Sequence, residues 1–155
     1  MPLIDDFYKD EYCELRVFTK PVEGAHAVLT SAFARHHPVV IATAPLFPLD
    51  ALKQRLIWAG VADFSFTLIT DFETMHASKP NPAYYREIAA RAHVSPQECV
   101  MIGNDVQMDI LPARRVGMKT FWITDAKDMP TDVPSHWLGT LADFGKLLES
   151  GKLDE

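Results

Sequence analysis

Apolar positions along the chain fall into helical and strand-like runs that alternate. Between Gly24 and Arg35, the residues Ala25, Val28, Leu29, Ala32 and Phe33 recur at three- and four-residue spacing, which predicts a helix with one buried stripe. Pro38 follows, and the continuous apolar run from Val39 to Ala42 predicts a short strand ending at Thr43. A second helix is expected from Leu49 to about Trp58, stopped by Gly60. A second strand is expected around Phe66–Ile69, and the polar stretch DFETMHASKPNP follows it. The third helix runs from Pro82 to about His93, its proline in a first-turn position where the missing N–H costs nothing. Ser95-Pro96-Gln97-Glu98 has the form of a capping box, and CVMIG behind it reads as a buried strand. A helix from about Gln107 to Val116, closed by Gly117, leads into KTFWIT, read as the last strand. Leu141, Phe144, Leu147 and Leu148 predict a final amphipathic helix with Thr140 as its N-cap. Apolar strands alternating with helices predict an α/β class chain with a parallel sheet covered on both faces, a three-layer α/β/α arrangement.

Composition narrows the setting. A chain of 155 residues, 48% hydrophobic and 23% charged, suits one compact domain rather than a disordered chain. A formal net charge of −6 has the wrong sign for a protein held on nucleic acid by phosphate neutralisation, so no nucleic-acid partner is expected. No apolar run approaches the roughly 18–20 residues of a membrane helix, and MPLIDDFYKD lacks the regions of a signal peptide. Cys13 and Cys99 make no disulfide framework, which fits a reducing, cytoplasmic location. The histidines at 26, 36, 37, 76, 93 and 136 show no zinc-ligand spacing; His76 is the one that falls in a candidate loop.

In a doubly wound sheet, chemistry collects at the carboxyl ends of the strands. Thr43 ends the first strand, and its hydroxyl with the neighbouring N–H of Ala44 can donate to a phosphoryl oxygen without adding charge. Lys79, in the loop after the second strand, supplies a mobile cation that offsets phosphoryl charge. Asp105, after the Gly103 bend, and Asp109, one helical turn further on, are hard oxygen ligands suited to Mg²⁺. Together these residues describe a pocket for a phosphate and a magnesium ion.

The same stretches carry a resemblance. VVIATAPLFP, KPNPAYYREIAARAHVSPQECVMIGND and DILPARRVGMKTFWIT, between about Pro21 and Thr124, resemble in order and spacing the second to fourth motifs of the haloacid dehalogenase superfamily and their continuation. The family consists mostly of Mg²⁺-dependent phosphohydrolases on a Rossmann-like core. The resemblance implies that Thr43 and the Ala44 backbone bind the phosphoryl group of a small phosphorylated metabolite. It implies that Lys79 steadies nucleophile and phosphoryl charge, and that Asp105 and Asp109 hold the metal and orient that lysine. Ala44 stands where the family commonly has asparagine. Within Gly103-Asn104-Asp105, either Asn104 or Asp105 takes the place of the first acidic residue, and Asp105 is favoured because a carboxylate is the better magnesium ligand.

The family's first motif, an apolar strand ending in Asp-x-Asp whose first aspartate attacks phosphorus, has no counterpart in this sequence. The early acids Asp5, Asp6, Asp10 and Glu11 follow no such strand. The expectation is therefore a core, residues 21–155, without its central first strand. Residues 1–20 are then a remnant of a cap domain, with Pro21-Val22-Glu23-Gly24 as the turn back into the core. Such a chain is expected to be truncated and inactive alone, with an incomplete sheet open to self-association. Three alternatives remain: a non-catalytic binding or oligomerisation protein of the same fold, a haloacid-type dehalogenase, and a receiver-like signalling domain. The last lacks the further strand-borne aspartate such a domain requires.

Overall fold

The computed structural model describes residues 6–153. A π-helical turn, Phe7–Glu11, and a 3₁₀ segment, Tyr12–Phe18, open the described chain. They pack on the second helix through Tyr8, Tyr12, Phe47 and Trp58, whose rings lie 5.2–6.5 Å apart in successive pairs. Then follow α1 (Ala25–Ala34), β1 (Val40–Ile41), α2 (Leu49–Trp58), β2 (Leu68–Ile69) and α3 (Pro82–Arg91). After a 3₁₀ turn at Pro96–Glu98 come β3 (Val100–Gly103), a π-helical turn Val106–Ile110 running into α4 (Leu111–Arg115), β4 (Lys119–Ile123), β5 (Trp137–Gly139) and α5 (Leu141–Glu149).

The helices stand where the periodicity predicts them, and for local reasons. Asn81 accepts the Ala83 N–H at the start of α3, beside the first-turn proline. His93 and Gly60 turn the chain through positive φ after α3 and α2. The Ser95/Glu98 and Thr140/Asp143 capping boxes are both formed. The strands differ more. β1 and β2 keep two paired residues each, Val40 with Leu68 and Ile41 with Ile69. KTFWIT is not the last strand: Trp137–Gly139 adds to the outer edge of β4, with Phe121 opposite Trp137.

All the pairings are parallel, yet the strands form two sheets, β1-β2 and β3-β4-β5. Packing shows that both sheets lie in one layer. On one face, Tyr84, Tyr85 and Ile88 of α3 and Ala113 of α4 join Met101, with Val40, Ala42 and Leu68 packed against them. On the other face, Ala32 of α1 and Phe144 and Leu148 of α5 join Phe121, with Val39, Val100 and Ile102 alongside. Alternate residues of β1 and of β3 thus feed the same two cores, as expected for strands of one pleated layer clad by helices on both sides. Between β1 and β3 the ladder is interrupted.

Candidate functional site

At the strand ends Lys79, Asp109 and Asp105 form one bonded group, and Thr43 is tied to the same region through Thr70 and Tyr84. Lys79 leaves a loop anchored twice. At its start buried Asp71 accepts the Glu73 and Thr74 N–H groups, and at its middle the Glu87 carboxylate accepts from the His76 N–H and bonds its ring Nδ1 at 2.9 Å. Burial alone would raise the Glu87 carboxyl, but the bonds from His76 prevail and hold it below its ordinary value. His76 itself is 91% exposed and turned to Glu87. The loop delivers the Lys79 ammonium to Asp109 Oδ1 at 2.5 Å, and the two side chains are only 9% and 8% exposed.

Asp109 is fixed from its other side by the Asp105 N–H, 3.2 Å from Oδ2. Gly103 makes room for it, because a Cβ at that position would lie 2.3 Å from Asp109 Oδ2. The bend that reads in the sequence as a turn glycine is thus a packing requirement of the buried carboxylate. Asp105 caps the helical turn behind it, its Oδ1 accepting the Gln107 and Met108 N–H groups at 2.9 Å. Its Oδ2 makes no hydrogen bond among the described residues. Asn104 is exposed, and its carbonyl accepts from the Trp122 indole at 3.0 Å.

Thr43 joins the group through its backbone. Its carbonyl accepts from Thr70 Oγ1 at 2.7 Å and from the Tyr84 hydroxyl at 2.6 Å, while its own hydroxyl donates to the Ala44 carbonyl. The Lys79 ammonium sits 6.0 Å from the Tyr84 ring centroid. The next residue, Tyr85, donates to the Met108 carbonyl. Burial pushes the Tyr84 phenol up to about 12 and raises Tyr85 as well, so both act as neutral hydrogen-bond donors.

Thr70, Tyr84 and Tyr85 were not foreseen as parts of this region. The signal available was two adjacent tyrosines in a helix, because a buried phenol needs a partner for its hydroxyl. Of the early acids, Asp6, Asp10 and Glu11 are exposed on the segment that packs against α2, and Asp5 lies outside the described residues.

A family model described as HAD-hydrolase-like matches residues 76–143, the stretch from the Lys79 loop through α3, β3, β4 and β5. Over this stretch the chain is similar to hydrolases of the haloacid dehalogenase superfamily. Over 70 residues, 45% of its length, it is 34% identical to a glyceraldehyde 3-phosphate phosphatase of Pyrococcus furiosus, matching 28% of that protein. It overlays on a HAD phosphatase from Thermococcus onnurineus with a TM-score of 0.69 and 24% identity, over 82% of this chain and 57% of the other. A HAD-hydrolase of Bacillus subtilis bound to magnesium overlays with a TM-score of 0.68 and 21% identity, over 82% and 55% of the two chains. The chain thus spans well under two thirds of the length of these relatives. Its fold class is theirs, a three-layer α/β arrangement with parallel strands. No helix among the described residues is long and apolar enough to cross a membrane.

Proposed function

We propose that the strand ends form the phosphate and divalent-cation site of a phosphomonoester hydrolase acting on a small phosphorylated metabolite. The observation that carries this reading is the buried Lys79–Asp109 pair, which the Asp105 N–H fixes and which lies over the ring of Tyr84, the tyrosine that donates to the Thr43 carbonyl. A hydroxyl, a backbone N–H and a cation at strand tips suit a tetrahedral oxyanion. In this reading Thr43 and the Ala44 N–H bind phosphoryl oxygens, after the Thr43 hydroxyl turns away from the Ala44 carbonyl. Lys79 offsets the charge of the phosphoryl group, and Asp109 positions Lys79.

The donor set suits Mg²⁺. Asp105 keeps one carboxylate oxygen unengaged, Asp109 keeps spare lone pairs, and the Asn104 amide is exposed beside them. Among the described residues no three acidic, histidine or cysteine side chains converge. That fits an ion that retains most of its waters and needs one or two protein carboxylates. Charge argues the same way: one lysine against two aspartates leaves the tips net negative, which opposes entry of a phosphate dianion until a divalent cation is present. When bound, such an ion supplies Lewis-acid polarisation of the phosphoryl oxygens.

Residues 1–20 belong, in this reading, to a cap, supported by the exposed apolar side chains of Val17 and Phe18, the latter 84% accessible. With no Asp-x-Asp in its sequence, the 155-residue chain does not turn over a phosphate ester alone. The test is thermal unfolding in Mg²⁺ and inorganic phosphate, beside hydrolysis of p-nitrophenyl phosphate. Expected are stabilisation by phosphate only when Mg²⁺ is present, its loss in Lys79→Met, and no metal-dependent hydrolysis. Phosphate binding that is unchanged in Lys79→Met overturns the site, and Mg²⁺-dependent turnover overturns the assigned inactivity.

A further inference from the structure

One peptide group at the tip of β3 is held at both of its ends. Its N–H is that of Asp105, which donates to Asp109 Oδ2 at 3.2 Å. Its carbonyl is that of Asn104, which accepts from the Trp122 indole N–H at 3.0 Å. The Asn104–Asp105 bond is trans, so its N–H and C=O point to opposite sides. The two bonds therefore continue one another: Trp122 indole, peptide, Asp109 carboxylate and, from the other carboxylate oxygen, the Lys79 ammonium at 2.5 Å. Each bond in such a chain polarises the next.

The peptide needs an outside support because of what stands before it. Gly103 has no room for a Cβ, which would lie 2.3 Å from Asp109 Oδ2, and a residue without one leaves its backbone freer to turn. On the far side the chain is already fixed, because Asp105 caps the following turn through the Gln107 and Met108 N–H groups. Trp122 closes the open side. It pairs with Gly103 in the β3–β4 ladder, which brings its half-buried ring within reach of the next residue's carbonyl. A strand accepts phenylalanine as readily as tryptophan. Only the indole nitrogen, a donor with no acceptor capacity, reaches the loop. Turning the peptide would carry the N–H away from Asp109 and bring a carbonyl oxygen toward the carboxylate, exchanging attraction for repulsion.

We propose that Trp122 is a positioning residue for the divalent cation. Through the Asn104–Asp105 peptide, its indole N–H sets the direction of the Asp109 carboxylate and the set of oxygens that Asp109 and Asp105 offer together. Lys79 holds one oxygen of Asp109 and the Asp105 N–H holds the other. With both anchors the carboxylate has one orientation; with the lysine alone it pivots about that single bond. The inference rests on the reading of Asp105 and Asp109 as the carboxylates that hold Mg²⁺, and extends it to an uncharged residue of the neighbouring strand. Outer partners that orient metal ligands in this way are a large part of a metal site's affinity. Because the brace acts on orientation and leaves both carboxylates in place, its loss weakens the cation without abolishing its binding.

The experiment follows the amide and indole N–H signals of the full chain by heteronuclear NMR, with Mg²⁺ alone as the titrant, beside hydrogen exchange in metal-free buffer. Expected in the wild type is a Trp122 indole signal that shifts with the same Mg²⁺ midpoint as the Asp105 amide. In Trp122→Phe the Asp105 amide exchanges at least tenfold faster without metal, the amides of β4 keep their rates within twofold, and the Mg²⁺ midpoint rises at least fivefold. The proposal is overturned if the β4 amides quicken as much as Asp105, which would make Trp122 a support of its strand alone. It is equally overturned if the variant binds Mg²⁺ with the wild-type midpoint. Should Trp122→Phe not fold, the wild type decides: an indole signal that stays in place while the Asp105 amide shifts overturns the proposal. A wild type in which neither signal responds to Mg²⁺ overturns the cation reading and the proposal with it, whereas a responsive wild type with an equally responsive variant overturns the proposal alone.

Discussion

Lys79 and Asp109 offer the sharpest test of how the strand ends are held together. Lys79→Met keeps the stem and removes the cation, leaving Asp109 at 8% exposure with the Asp105 N–H at 3.2 Å. Exposed ion pairs are worth about 0–1 kcal/mol, but removing one member of a buried pair costs about 3–5 kcal/mol because the survivor stays desolvated. The exposures of 9% and 8% place this pair in the second class. Asp109→Asn strands the lysine instead. The Tyr84 ring 6.0 Å away compensates that cation by about 0.5–1 kcal/mol, so the loss is somewhat smaller. The double variant Lys79→Met/Asp109→Leu leaves no buried charge and should cost clearly less than the sum of the two single changes. Urea unfolding followed by far-UV circular dichroism reads the effect. With slopes of about 1–3 kcal/mol per molar urea, the lysine change lowers the midpoint by at least about 1 M. Single changes each below about 1 kcal/mol, adding simply in the double, would refute the assignment of a buried, coupled pair.

Other outcomes follow from the same geometry. Gly103→Ala puts a Cβ 2.3 Å from Asp109 Oδ2, so the carboxylate must leave its place; the overpacking costs about 1–3 kcal/mol in urea unfolding and abolishes phosphate stabilisation. Tyr84→Phe removes the hydroxyl that donates to the Thr43 carbonyl and should cost about 0.5–1.5 kcal/mol, since Thr70 still serves that carbonyl. His136 accepts the Thr120 N–H on Nδ1 at 3.0 Å, and desolvation, then the Arg114 and Lys119 cations, hold its pKa below the ordinary 6.5. As pH falls the unfolded chain takes up that proton first. Stability from this residue is therefore full above about pH 6.5 and declines below it toward the folded pKa; His136→Gln should flatten the urea midpoint across that range.

The helices were legible because each carries its own periodic stripe and its own stop, as at Gly60 and in the Thr140/Asp143 box. Strands were harder. Trp137–Gly139 has three residues and no alternation to mark it, and it becomes a strand only because β4 offers an edge. The run Val39–Ala42 reads as four strand residues, but only Val40 and Ile41 are assigned as strand, in a layer with one neighbour instead of two. At the site, Thr43, Lys79, Asp105 and Asp109 announce themselves by residue type at strand ends. What ties Thr43 to the rest does not. Thr70 and the two tyrosines act through hydroxyls aimed at carbonyls more than twenty residues away, a relation that no local pattern encodes.

One consequence concerns motion. Adjacent residues of α3 grip the two halves of the layer at the same end, Tyr84 at Thr43 and Tyr85 at Met108. The layer is therefore built like a jaw with its hinge at the carboxyl ends of the strands. Spreading at the amino ends, where His37 and Glu98 line the opening, pivots about that clasp and leaves the span between Thr43 and Asp109 nearly constant.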